Sequence, residues 1–158
     1  MTEQYLQSMI DGLDEKAKLL DELTLLTQKQ QSVVDSEEPN WDEFDKTVDD
    51  KAELIDRLMK LDDGFEAIFD RIKNEVKADK DKYKDYIKKL QAGITVVTEK
   101  STGLMALEER TRQKVTVKLT DQRQKIKQSR VSSKAVTNYY QNMNKINYVD
   151  PQLMDQKK

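Results

Sequence analysis

Residues 83–126 read YKDYIKKLQAGITVVTEKSTGLMALEERTRQKVTVKLTDQRQKI, and within them one ladder is almost unbroken. Tyr83, Ile87, Leu90, Ile94, Val97, Ser101, Leu104, Glu108, Thr111, Val115, Leu119, Gln122 and Ile126 recur at steps of three and four. That spacing keeps one face of a helix apolar. A helix of this length runs about 70 Å at about 1.5 Å per residue. A compact globule of the same chain length has a radius of gyration of only about 15 Å. The expected fold is therefore a rod. Two β-branched runs, at 94–98 and 115–119, and the glycines Gly93 and Gly103 oppose helix locally. They predict softness or a break near Gly93–Gly103, while the ladder passes through both runs in register.

Working outward, Leu6, Ile10, Leu13, Ala17, Leu20, Leu23 and Leu26 stripe a helix expected over residues 2–35, with Asp14, Glu15, Lys16 and Lys18 on its far side. Ser36-Glu37-Glu38-Pro39-Asn40 reads as a turn, since Pro39 lacks an amide donor and disfavours helix at Glu38. Asn40 is placed to cap a second helix, with Glu43 completing a capping box. Trp41, Phe44, Val48, Ala52, Ile55 and Leu58 stripe that helix, Trp41 being expected as a core anchor. Asp62-Asp63-Gly64 is expected to interrupt or bend it before Phe65, Ile68, Phe69, Ile72 and Val76 resume the stripe. The nearly all-charged run from Ala78 to Lys84 predicts a loop or a solvated helix end. The fold class is thus all-α: an elongated antiparallel helical bundle, or coiled-coil hairpin, of three main helices over residues 1–130.

After Arg130 the composition turns to Ser, Asn and Gln, and a separate amphipathic segment, 131–158, folds conditionally as a C-terminal tail. Its short apolar stripe is marginal alone in water. Val131, Val136, Tyr139, Tyr140, Met143 and Ile146 form its candidate partner-binding face, because Tyr and Met supply adaptable contact surface and helix-in-groove pairing uses such spacing. Docking of the same side chains back on the bundle is the equally weighted alternative.

Charge is sorted along the chain. Residues 1–79 carry 22 acidic against 10 basic side chains, net −12; residues 80–158 carry 8 against 18, net +10. Opposite halves folded together neutralise one another at the seam margins. The basic run 110–130 is accordingly expected to face the acidic helices rather than nucleic acid, having no interleaved aromatics for base stacking. Glu108 and Gln122, polar on the ladder, are expected where the seam turns to solvent, with register-setting positions inside the seam as the alternative.

The chain of 158 residues contains neither Cys nor His, which removes thiolate sites and the commonest general base. The adjacent acid pairs are expected on solvated faces, Asp62-Asp63-Gly64 lacks the further ligands of a calcium loop, and no phosphate-cradling glycine loop occurs. No catalytic residue, metal or cofactor is expected, and the protein is read as no enzyme. Met1 opens a mixed polar segment and no apolar run approaches membrane-span length, so a soluble, cytoplasmic protein is expected.

Three stretches carry a resemblance: Leu61-Asp62-Asp63-Gly64-Phe65-Glu66-Ala67-Ile68-Phe69-Asp70-Arg71-Ile72, then Leu104-Met105-Ala106-Leu107-Glu108-Glu109-Arg110-Thr111-Arg112-Gln113-Lys114, and a Tyr-containing tail closing on Asp155-Gln156-Lys157-Lys158. Together they resemble the FlgN-type flagellar export chaperones in their Gram-positive form. The resemblance implies a cytosolic chaperone that holds the terminal helical segment of a hook-associated protein and delivers it to the type III export apparatus. It implies substrate binding by about Val131 to Tyr148, and a tyrosine used at the export apparatus at Tyr139 or Tyr140. The alternatives are a secretion chaperone for another flagellar cargo, such as the filament cap, and a structural or nucleic-acid-associated coiled-coil protein using the basic 110–130 helix. Pairing of two chains into a homodimer is left open.

Overall fold

The protein, described here as a computed structural model, is defined over residues 1–122 and Tyr139. Three helices account for nearly all of that span: α1 (Thr2–Asp35), α2 (Trp41–Ala78) and α3 (Lys84–Gln122). They pack against one another as an all-α bundle, with no strand among the described residues. At about 1.5 Å per residue each helix is some 50–60 Å long, so the bundle is a slender body. None of the described helices is long and apolar enough to cross a membrane.

The breaks fall where turn chemistry demands them. Ser36 leaves α1 with extended backbone (φ −64°, ψ 149°). Asn40 then caps α2, its side chain accepting from the Glu43 amide at 3.2 Å. The carboxylate of Glu43 lies 4.0 Å from Lys29, so it ties α2 loosely to α1. The charged run 79–83 forms the second turn. Connections this short make consecutive helices antiparallel neighbours. Contacts along the rod confirm the topology. Thr2 meets Glu75 and Lys16 meets Asp62, so α1 and α2 run in opposite directions. Lys100 reaches Asp21 at 2.7 Å and Lys114 reaches Asp35 at 3.0 Å, so α1 and α3 run in parallel. These exposed pairs join the acidic half to the basic half at the margin of the α1/α3 seam.

The α3 ladder is buried at every position with a described side chain, from Tyr83 through Ser101, Glu108 and Thr111 to Leu119. The helix continues through Gly93 and Gly103, so the break considered near them does not occur. The hydroxyls of Thr95, Ser101, Thr111 and Thr116 each donate to the carbonyl four residues back, at 2.7–3.0 Å. The residues that disfavour helix by offering the backbone other partners thus spend those groups inside it. Gly93 has a packing role: a Cβ there would lie 3.0 Å from Leu13 Cδ1 and 3.3 Å from Leu13 Cβ. Its missing side chain lets α1 and α3 approach closely.

α2 also corrects its sequence reading. It continues through Asp62-Asp63-Gly64, because Asp62 turns inward and Gly64 faces open space. In α1, Lys16 is buried while Ala17 is half-buried, and in α2, Lys51 is buried while Ala52 is exposed. Glu108, expected at the solvent, is 8% exposed and paired.

The core falls into two apolar clusters. The larger runs from Leu6 and Val76 through Leu20, Leu58 and Leu90 to Leu104. The smaller, at the end near the first turn, holds Val33, Val34, Phe44, Val48, Val115 and Leu119. Trp41 is half-buried on it, meeting Phe44 edge-to-face with ring centroids 5.6 Å apart. Between the clusters lies a polar belt of Thr27, Gln30, Thr47, Lys51, Glu108 and Thr111, all buried.

Candidate functional site

Of the six side chains assigned to a partner face, the structure describes Tyr139. Val131, Val136, Tyr140, Met143 and Ile146 lie outside the described residues, as does the rest of segment 131–158. Ile126 and the side chain of Gln122 lie outside them too.

Tyr139 is buried against the larger cluster, and its hydroxyl donates to Asp62 Oδ2 at 2.8 Å. The other Asp62 oxygen accepts from Lys16 Nζ at 2.5 Å. This three-residue site forms because Leu13, Lys16 and Leu20 share the inner face of α1, while Leu58 and Asp62 share that of α2. A lone buried charge is costly, but a carboxylate bonded by an ammonium and a phenol has both oxygens engaged. Burial pushes the Lys16 ammonium below its ordinary pKa, and the Asp62 charge pulls it partly back.

The second buried pair lies in the polar belt. Lys51 Nζ bonds Glu108 Oε1 and also donates to Gln30 Oε1 at 2.9 Å. The Thr27 hydroxyl lies 2.6 Å from Glu108 Oε1 and 2.8 Å from the Leu23 carbonyl, two acceptors sharing one proton. All three helices contribute. Burial lowers the Lys51 pKa, again opposed by its partner's charge. Both lysines come from the acidic half of the chain, so the buried pairs do not follow the charge sorting that Lys100–Asp21 and Lys114–Asp35 obey at the α1/α3 margin.

At the bundle end remote from the belt, the exposed Glu75 carboxylate accepts from Thr2 and, at 3.1 Å, from Tyr83, bonds that hold its pKa below the usual range. Its partners fasten the start of α1 and the turn before α3 to α2. Among the described residues no group of three or more Asp or Glu is arranged to hold a metal ion.

Among the described residues, grooves open along the α1/α3 seam. One, of about 450 Å³, is lined by Val34, Asp35, Arg110, Gln113, Lys114, Val117 and Lys118. Another, of about 290 Å³, is lined mainly by Ile10, Leu13, Ala17, Ala92, Gly93 and Val96, with Asp14 and Lys89 at its edge.

Sequence reasoning missed Lys16, Lys51 and Asp62 as inward-facing residues. The available signal was a charged residue on one ladder matched by the opposite charge at the facing register of another. No family model, curated protein or solved structure matches the chain.

Proposed function

We propose that the protein is a non-catalytic, cytoplasmic export chaperone of the FlgN type, which holds the terminal helical segment of a hook-associated protein through its own C-terminal segment. The observation that supports this reading is the slender all-α bundle; Tyr139 itself docks back on that bundle, which is the alternative given for the tail face, so a cargo helix would compete for its seat. A residue from that segment places an aromatic ring on the helical bundle and completes a buried hydrogen bond there. Aromatic anchors with a polar tip are the chemistry by which one helical surface holds another. The bundle offers long seams, and among the described residues its buried lysines and carboxylates pair with each other: Lys16 with Asp62 and Lys51 with Glu108. Groups neutralised in a packed core position helices and have no open face toward a substrate.

The test is capture of the terminal helices of hook-filament junction proteins by the full chain and by a chain ending at Arg130. The full chain is expected to retain its cargo through gel filtration at physiological salt, and the shortened one to lose it. Equal capture by both would refute the assignment of segment 131–158. Retention of a filament-cap protein in place of a junction protein would keep the chaperone and change its cargo.

A further inference from the structure

We propose that the larger α1/α3 groove, beside residues 110–118 of α3, is a docking surface for an acidic amphipathic helix. It is built by α1 and α3 and is independent of the chaperone reading.

The groove combines an apolar floor with a cationic rim. Val34 is buried in its base, and Val117 stands 59% exposed at its edge, one of the most exposed large apolar side chains described. Arg110, Lys114 and Lys118 follow one another at four-residue intervals along α3, each about 6 Å from the next. Among the described residues Asp35 is the single carboxylate of the lining. Lys114 is held at the rim by Asp35 at 3.0 Å, and Lys118 by the Ser36 carbonyl at 3.1 Å. An ammonium has three donors, so each lysine keeps N–H groups for a further acceptor. The rim therefore carries three cations against one anion.

That balance identifies the occupant. The smaller groove sets Asp14 against Lys89 and has no preference of sign. The larger one favours carboxylates at its edge and apolar groups at its floor. A helix running along α3, with Asp or Glu every fourth residue and Leu-type side chains between, meets both demands at once. Nucleic acid fits less well: phosphates would use the rim but leave Val117 unburied, and among the described residues no aromatic side chain lines the groove for stacking. Exposed ion pairs add little affinity by themselves, so the apolar contact holds the partner while the rim selects its charge and speeds its arrival.

The experiment uses the full chain and two labelled helical peptides with the same leucine stripe, one flanked by glutamates and one by lysines. Fluorescence anisotropy is expected to show the glutamate peptide binding at least tenfold more tightly, with an affinity that falls as salt rises. Val117→Asp and the double variant Arg110→Glu/Lys118→Glu are each expected to weaken it at least tenfold. All three positions lie at the groove edge, and an unchanged thermal melt confirms that each variant is folded; where one melts early, the other carries the test. Equal affinity for the two peptides, indifference to both variants, or displacement of the glutamate peptide by equimolar duplex DNA would overturn the proposal. Because no cargo is added and the variants lie on α3 alone, its failure leaves the chaperone reading standing.

Discussion

The two buried ion pairs have the same chemistry and different dependents. Among the described residues, Lys51–Glu108 is held by groups from α1, α2 and α3, whereas Lys16–Asp62 joins two helices and takes a further hydrogen bond from Tyr139, far along the chain. The first sits between two apolar clusters and the second within the larger one. One pair therefore reports on the assembly of the bundle itself. The other reports on whether the C-terminal segment is seated.

The comparison is broken most severely by removing one charge. Glu108→Ala leaves the Lys51 ammonium buried with Gln30, and Asp62→Ala strands Lys16; each is expected to lower unfolding free energy by about 3–5 kcal/mol in urea titrations. The apolar double variant Lys51→Met/Glu108→Leu is expected to recover most or all of the loss, because a packed apolar pair avoids the desolvation penalty. Tyr139→Phe then separates the pairs. It leaves Asp62 Oδ2 without its donor and should cost about 1–3 kcal/mol. Double-mutant cycles are expected to show coupling of this change to Asp62 and none to Glu108.

A smaller effect distinguishes the two α3 glycines. Gly103→Ala meets open space and should raise stability by about 1 kcal/mol through helix propensity. Gly93→Ala should forfeit that gain, because its Cβ presses on Leu13; paired thermal melts would show the two substitutions diverging.

The subtlest test is pH. Burial lowers the folded pKa of Lys16 and Lys51 from the ordinary 10.5, so between the folded and unfolded values the unfolded chain binds more protons. Stability contributed by these groups therefore rises with pH in the window below 10.5 and is lowest when both lysines are charged. The double variant Lys51→Met/Glu108→Leu should flatten part of that slope relative to the parent, measured as unfolding free energy from pH 8 to pH 10.

Much of this fold was legible in the residues. The helix starts, the Pro39 turn, the Asn40 cap and every described position of the α3 ladder follow from periodicity and capping alone. What escaped was pairwise. Along α1, Lys16 next to Ala17 reads as a solvent residue, because burying a lone ammonium is prohibitive. The cost disappears only when Asp62, forty-six residues away, occupies the facing position. Glu108 was visible on its ladder and assigned to solvent for the same reason: its counter-charge lies on another helix. Of the tail face, Tyr139 could be ranked as an anchor from its chemistry, but its acceptor belonged to a triplet read as a break in α2.

The two inward polar sites also act as alignment marks. On α2, Lys51 and Asp62, which meet Gln30 and Lys16 of α1, are eleven residues apart, a separation of about 16 Å. Sliding one helix past another by a heptad keeps leucine against leucine almost everywhere, yet it sets an ammonium or a carboxylate against hydrocarbon at both marks together. Such a bundle has a single permitted stagger, and a foreign helix could take the place of α2 only by presenting an acid and a base at that same interval.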